Sequence, residues 1–495
     1  MGHHTLTDKI PEKILANFIG GEFSSEGKLF ENINPRDGST ISQAVEADAS
    51  AVDRAVSAAS AALEGEWGAT SPALRSRFLH LIADGIEHRF DEFVSAEVAD
   101  TGKDLGHART IDIPRSMANF RTYAELIGSS KGESIHEIGA DGSVTLNYTI
   151  RRPLGVVAAI APWNLPLLLL TWKVAPALAC GNSVIAKPSE LTPTTATLLA
   201  EVISDAGLPG GAFNLLHGFG GGSAGELLAG HRGVDAISFT GSSATGASIM
   251  RLASETVKPV SFELGGKNAA IIFKDCDFDQ AVNGSVRSAF SNCGQVCLST
   301  ERIYVERPIY DSFVSAMKER AESIVLGGAE DNTENMGPLV SDEHRRKVAG
   351  YFDLAVQEGA TVVTGNEIPS FDDERKKGFY VRPTIWTGLR EDARCLHEEV
   401  FGPVCHVAPF DDEAEAVRLA NNTQYGLATA IWTQNLGQAH RVAAKMETGI
   451  VWVNSWFLRH LQTPFGGMKL SGVGREGGRH SMDFYSQPSN ICVKS

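Results

Sequence analysis

The sequence predicts an α/β protein built around a doubly wound parallel sheet. Between residues 154 and 262, short apolar, β-branched runs alternate with helical patterns, the signature of strands joined by helical crossovers. A second alternation of the same kind follows residue 268. The chain has 495 residues, 43% of them hydrophobic and 21% charged. That is too long for one ordinary core and has the composition of soluble globular domains, so two or three domains are expected.

From residue 47 to about 130 apolar residues recur at i, i+3 and i+4, as in "ASAVDRAVSAASAAL" and "LRSRFLHLIADGIEHRFDEFVSAEVADTGK", which predicts helices. "SVTLNYTIRRP" then alternates strictly, with Val144, Leu146, Tyr148 and Ile150 on one face of a strand. Such a strand must pair with something, and the C-terminal "SNICVKS" is a second short candidate. Five strands follow, in "GVVAAIA", "SVIAK", "FNLLHG", "VDAISFTG" and "KPVSFELGG", with helices between them. Ligands of such sheets sit beyond the carboxyl ends of the strands. Asn164, Lys187, Gly218 to Gly222, Gly241, Gly265 and Gly266 fall at those ends. "NAAIIF", a helix through Phe290 and "RIYVERP" open a second α/β domain that runs to about 465. "NEIPSFDDERKKG" is a polar surface loop.

Lys and Arg total 44 against 60 Asp and Glu, a formal charge of −16. That balance disfavours nucleic acid and anionic membranes as partners. No apolar run reaches eighteen residues, and the longest, "LPLLLLTWKVAPALAC", is interrupted by Lys173 and Pro176. "MGHHTLTDKIPEK" lacks the apolar core of a signal peptide. Seven scattered cysteines, an odd number, argue for a reducing compartment, so the cytoplasm is expected.

Several segments have chemical potential. Gly220, Gly222 and Gly225 form a Gly-x-Gly-x-x-Gly string, a weak signal among 50 glycines. "SFTGSSATG" is stronger: a strand ends at Thr240 and a helix begins near Ser242, so free backbone N–H groups would face an anion. A capped helix with a tight turn reads equally well. In "AKPSE", Glu190 could accept hydrogen bonds from ribose hydroxyls and repel a 2′-phosphate. Lys187 and Glu190 also read as a surface lysine and a helix-start glutamate. "AFSNCGQVCLST" sets Cys293 and Cys297 four positions apart. A free thiol, with pKa near 8.5, is only a few per cent ionised at neutral pH, and lowering that pKa by about two units makes most of it thiolate. No His or further Cys nearby completes a metal site, so no metal is expected. A redox pair usually has two intervening residues, not three. Alone, the segment suits buried structural thiols better than a nucleophile.

Seven pieces in order change that balance: "PWNLP" at 162–166, "KPSE" at 187–190, "FTGSSATG" at 239–246, "FELGGKN" at 262–268, "GQVC" at 294–297, "EEVFGPV" at 398–404 and "PFGGMKLSGVGREGG" at 464–478. With them the chain resembles the aldehyde dehydrogenase superfamily over nearly its whole length. The resemblance implies a Rossmann-like doubly wound cofactor domain for NAD (1–130 and 152–262), an α/β catalytic domain (263–465) and a small β oligomerisation arm (131–151 and 479–495). A homo-dimer or homo-tetramer is then expected. It makes Cys297, which ends the Gly-Gln-x-Cys pattern, the nucleophile, and leaves Cys293 structural. In the implied mechanism Cys297 attacks the aldehyde to give a thiohemiacetal. Its oxyanion is held by the Asn164 side-chain amide and the Cys297 N–H, and loss of such a donor costs on the order of 3 kcal/mol. Hydride passes to the nicotinamide, and Glu263 acts as general base on the water that cleaves the thioester. Gly265 and Gly266 are read as room for the Glu263 carboxylate to swing. Trp163, Lys187, Glu190, Gly220 and Ser242 are the implied adenosine and pyrophosphate contacts. Glu399 and Phe401 fall to the nicotinamide ribose and ring, and Lys173 and Glu476 to a proton exit route.

Two arginines narrow the substrate. Arg115, in "IDIPRSMANF", and Arg459, in "NSWFLRHLQTPFGG", fall beside the aldehyde tunnel of the resembled family. A buried, unpaired guanidinium costs several kcal/mol, so a carboxylate partner is expected. A local Asp such as Asp112 is the alternative. Both segments closely resemble the branch that oxidises 2-aminomuconic or 2-hydroxymuconic 6-semialdehyde in tryptophan (kynurenine), nitroaromatic or catechol degradation. The expected substrate is the 2-amino dicarboxylic semialdehyde, ahead of the 2-hydroxy compound. A CoA-acylating enzyme is disfavoured by Glu263, and a non-catalytic protein by the intact Cys297, Glu263 and Asn164. A broader NAD-dependent aldehyde dehydrogenase, acting on a betaine or neutral aliphatic aldehyde, is the remaining alternative, and a cationic aldehyde would be repelled by the arginines.

Overall fold

A computed structural model describes residues 14–129, 132–327 and 335–494. The N-terminal stretch without a signal-peptide core lies outside the described residues. The helical periodicity before residue 130 forms helices Ala49–Glu64, Pro72–His88, Phe90–Thr101 and α1 (Ile113–Leu126). A π-turn at Ala108–Asp112, unforeseen in the sequence, leads directly into α1.

The five apolar runs form β1 (Val156–Ile160), β2 (Ser183–Lys187), β3 (Phe213–Leu215), β4 (Ala236–Thr240) and β5 (Val260–Glu263). A parallel sheet covered on both faces needs apolar residues on both, and nearly every residue of these strands is buried. All neighbours pair in parallel, in the order β5-β4-β1-β2-β3. The order reverses between β1 and β4, which makes the crevice beyond those two strand ends the natural ligand position. α2 (Pro166–Ala179) joins β1 to β2 and is buried at every residue, Lys173 and the internal Pro176 included. The longest apolar run is therefore a core helix. No helix among the described residues is long and apolar enough to cross a membrane.

A second sheet contains β6 (Asn268–Ile272), β7 (Thr300–Glu306), β8 (Thr361–Thr364), β9 (Thr384–Thr387), β10 (Val404–Phe410), β11 (Ala428–Trp432) and β12 (Ile450–Val453). Its order is β8-β9-β10-β7-β6-β11-β12, parallel except at the β8–β9 edge. After β12 the chain returns to the first sheet. Gly472–Val473 pairs antiparallel with β5 and sets Gly472 opposite Glu263.

The isolated alternating strand finds its partners in a third sheet. Val144–Pro153 lies between Ser134–Ile138 and the C-terminal Ser486–Lys494, antiparallel to both. The C-terminal strand of this sheet begins at Ser486. Residues Gly478–Phe484 are instead a helix, and its Met482 and Phe484 pack against the core of the first sheet.

Candidate active site

The Cys297 loop starts from a strained turn. Asn292, Cys293 and Gly294 are all left-handed, with φ of 51°, 57° and 69°. A Cβ at Gly294 would lie 2.0 Å from the Gly402 carbonyl oxygen, so only glycine fits. Two consecutive non-glycine residues in this region cost free energy, and such strain gathers at functional sites. Gln295 clamps the loop: its side-chain oxygen accepts from the Val340 N–H at 2.9 Å and its amide donates to the Asn292 carbonyl at 3.2 Å. The Gly-Gln-x-Cys spacing is thus a turn, a clamp, a buried Val296 and then the sulfur. The two cysteines end in different surroundings. Cys293 lies in the core of the second sheet, whereas Cys297 is partly open and lines a cavity. Burial pushes the Cys297 thiol up to about 12; Glu263 and Glu399 add to this and Arg459 opposes it. The shift runs opposite to the lowered pKa that a ready-made thiolate needs.

Asn164 follows β1 and lines the same cavity. Its side-chain amide donates one hydrogen to the Gln295 carbonyl at 2.9 Å, which leaves a second for a ligand. Glu263 ends β5 and is buried; neither carboxylate oxygen has a partner among the described residues. Burial and then Glu476 raise its pKa well above the usual carboxylate range, against Lys173, Arg459 and Arg475. Glu476 accepts from the Lys173 ammonium at 2.8 Å. In this conformation Gly265 and Gly266 border other groups than the Glu263 carboxylate. A Cβ at Gly265 would meet a Glu399 oxygen at 2.2 Å, and one at Gly266 the Cys297 carbonyl at 2.9 Å. The glycine beside the Glu263 carboxylate is Gly466, where a Cβ would lie 2.6 Å from it.

A cavity of about 630 Å³ opens beyond β1, β2 and β4, lined by Trp163, Lys187, Glu190, Gly220 and Ser242. A second of about 170 Å³ is lined by Trp163, Asn164, Ser242, Cys297, Glu399 and Phe401. Both include Pro162, Trp163, Thr240, Gly241 and Ser242, so they form one cleft that ends at the sulfur. All seven residues expected to hold the cofactor line it. Ser242 caps helix Ser243–Ser254, its hydroxyl accepting from the Thr245 N–H at 3.1 Å. The Lys187 ammonium donates to the Pro188 carbonyl at 3.0 Å and lies 3.9 Å from Glu190, and burial lowers its pKa.

The Glu399–Phe401 loop is held by residues that sequence reasoning missed. The Val400 and Phe401 N–H groups donate to Glu301 at 3.1 and 2.9 Å, and Glu301 is itself paired with Lys267. His344 meets the Phe401 carbonyl at 2.8 Å, and Trp163 packs edge-on against the Phe401 ring. The Glu399 carboxylate accepts from the Gly266 N–H at 2.7 Å, and burial, with Glu301 adding, pushes its pKa up to about 7.

Arg459 is sandwiched between aromatic rings, 4.0 Å from that of Trp172 and 3.8 Å from that of Phe465. Its Nε and Nη2 have no partner among the described residues. Burial lowers its pKa to about 10 and the Arg115 charge adds to that, while Glu476 and Glu263 oppose it. Arg115 is half-buried on α1. Asp112, the local alternative partner, is ion-paired with Lys103 at 2.6 Å, and its charge still raises the Arg115 pKa against burial. Arg459 therefore feels the Arg115 charge; neither has a salt bridge among the described residues, and neither lines the two cavities of the cleft.

The aldehyde dehydrogenase family model matches residues 23–491, and the chain belongs to that family. Among its relatives, the 2-hydroxymuconic semialdehyde dehydrogenase of Pseudomonas sp. strain CF600 is 56% identical over 97% of this chain and 100% of that one. The 2-aminomuconic 6-semialdehyde dehydrogenase of a Pseudomonas species is also 56% identical, over 97% of each chain. The structure of an aldehyde dehydrogenase from Bacillus cereus in complex with NAD+ superposes with a TM-score of 0.93 at 39% identity, covering 97% of this chain and 96% of that one.

Proposed function

We propose that this protein oxidises a muconic 6-semialdehyde to the dicarboxylic acid, with NAD as hydride acceptor and Cys297 as nucleophile. The observation that carries the substrate reading is the pair Arg115 and Arg459, above all the two unpartnered N–H positions of Arg459. A carboxylate at the far end of the aldehyde gives both guanidinium groups a hydrogen-bond acceptor and neutralises one of the two charges. Charge-assisted hydrogen bonds worth about 1.5–3 kcal/mol each favour it over a neutral aldehyde by about a hundredfold. The two relatives named for muconic semialdehydes support the same class, one for each substituent and at equal identity. We take the 2-amino compound first and the 2-hydroxy compound as its alternative, since both substituents are small hydrogen-bonding groups.

NAD supplies the hydride acceptor when it is bound. Lys187 and Glu190 suit its adenosine ribose, the Ser242 helix start its pyrophosphate, and Glu399 and Phe401 its nicotinamide end. The complex of the Bacillus cereus relative supports the choice of NAD, as does a Glu190 carboxylate that would repel a 2′-phosphate. Because the Cys297 thiol rests protonated, its proton must leave as sulfur meets the carbonyl carbon. A buried Glu263 with a raised pKa is a stronger base than an exposed carboxylate and suits that transfer. The free hydrogen of the Asn164 amide faces the developing oxyanion, together with the Cys297 N–H. Once the hydride has gone, Cys297 holds the acyl group as a thioester. Glu263 releases the thiol proton outward through Glu476 and Lys173, and, ionised again, takes a proton from the water that displaces Cys297 and passes it out the same way.

A homo-oligomer in the cytoplasm completes the reading. Ile135 and Ile138, on an edge strand of the arm, are 61% and 76% exposed, an apolar edge that a second copy would cover. A panel of 2-amino, 2-hydroxy and unsubstituted muconic semialdehydes against neutral aliphatic aldehydes, followed by NADH formation, tests the proposal. The dicarboxylic semialdehydes are expected to lead in kcat/KM by about a hundredfold. Equal values for the neutral aldehydes would overturn it.

A further inference from the structure

Beneath Asn164 lies an ionic cluster that no step above uses. The Lys103 ammonium, fully buried, donates to Asp112 at 2.6 Å, to Glu97 at 3.2 Å and to the main-chain carbonyl of Asn164 at 3.1 Å. An ammonium has three hydrogens, and each has one acceptor here. The two carboxylates leave a third hydrogen that needs an acceptor, and the one it finds is a carbonyl 61 residues away. That carbonyl is gripped from a second direction by the Asn292 side-chain amide at 3.1 Å. Since the Asn164 side chain is tied to the Gln295 carbonyl, its main chain and side chain are both fixed, and the remaining amide hydrogen points one way. The π-turn at Ala108–Asp112 supplies Asp112, and Arg115 follows three residues later on α1. One ammonium thus ties the Asn164 loop to the segment that carries a substrate arginine.

We propose that Lys103 is a positioning residue for oxyanion stabilisation: through the Asn164 carbonyl it aims the Asn164 amide at the reacting oxygen. The inference rests on the reading of Asn164 as the oxyanion donor. A group misplaced by about 1 Å loses up to a hundredfold in rate, so the third hydrogen bond of a buried lysine has leverage over turnover.

A double-mutant cycle in the NAD-saturated enzyme tests it, with Lys103→Met, Asn164→Ala and the two combined. Lys103→Met is expected to lower kcat about tenfold while the aldehyde KM stays within about twofold, since the residue acts on the transition state through Asn164. In the Asn164→Ala background the same change is expected to cost less than about twofold, because the amide it aims is gone. Alkylation of Cys297 by iodoacetamide, which needs no oxyanion donor, is expected to proceed at the wild-type rate in Lys103→Met. Equal losses in both backgrounds, or slowed alkylation, would make Lys103 a general structural residue and overturn the proposal. No loss in Asn164→Ala alone would instead sink the oxyanion reading on which it rests.

Lys103→Met strands two carboxylates. If it does not fold, Lys103→Met with Asp112→Asn removes one charge of each sign and takes its place in the cycle. Glu97, whose carboxyl burial pushes up to about 7 against Lys103, is then free to carry a proton. If that variant also fails to fold, Lys103 is required for stability and the positioning role is rejected.

Discussion

The two ends of the cleft are built on opposite terms. At the dinucleotide end the polar groups already have protein partners: Lys187 on Pro188, Ser242 on Thr245, Glu399 on Gly266, and the Phe401 carbonyl on His344. Among the buried side-chain atoms of the described residues there, the Thr240 hydroxyl has none. At the aldehyde end both oxygens of Glu263, two nitrogens of Arg459, one oxygen of Glu476 and the Trp172 indole N–H have none among the described residues. A buried polar group left unpaired costs about 1–3 kcal/mol, and a charged one more. The cofactor end is therefore preformed by its own hydrogen bonds, whereas the unpaired groups gather around Glu263 and Arg459, where the proposed substrate would be held. Removing chemistry from the aldehyde half should leave the cofactor half intact.

Cys297→Ala is the sharpest use of that difference and carries the largest expected effect. Turnover should vanish while NAD binds with a Kd within about twofold of wild type, because the sulfur only borders the cleft and no cofactor-end residue depends on it. Steady-state rates and a calorimetric titration with NAD check both halves. Activity near wild type would hand the role to Cys293, which the structure buries in the core of the second sheet.

A smaller effect separates the two ends by pH. Burial, with Glu301 adding, raises the folded pKa of Glu399 from 4.5 to about 7. The stability this carboxyl contributes is therefore complete below about 4.5 and is lost as pH rises through about 7. Glu399→Gln cannot ionise and keeps that contribution. The melting temperature of wild type should fall by a few degrees relative to the variant between pH 5 and 8. Parallel curves would show that Glu399 is not held neutral in the folded cleft.

Much of this arrangement was legible in residues. The five strands, the Ser242 cap and the pairing need of Val144–Pro153 follow from local periodicity and turn chemistry, which nearby residues set. The choice of Cys297 over Cys293 did not follow locally and needed the ordered motifs. The structure adds that a left-handed turn sends the two sulfurs to different cores. Lys103, Glu301 and His344 were illegible because they act on partners 61, 100 and 57 positions away. In the sequence each is an ordinary charged or polar residue. The crowding at Gly265 was illegible likewise, because the side chain that folds over it is the distant Glu399, whereas Gly266 meets the nearby Asn268 and the Cys297 carbonyl.

The central claim is that guanidinium groups beyond the sulfur select an aldehyde by its distant carboxylate. The direct measurement is the ratio of kcat/KM for a muconic semialdehyde to that for a neutral aldehyde, in wild type and in Arg459→Ala. The account predicts that the substitution collapses this ratio by about a hundredfold, mainly through the KM of the semialdehyde, as loss of a charge-assisted pair requires. An unchanged ratio, with both substrates losing equally, would contradict it.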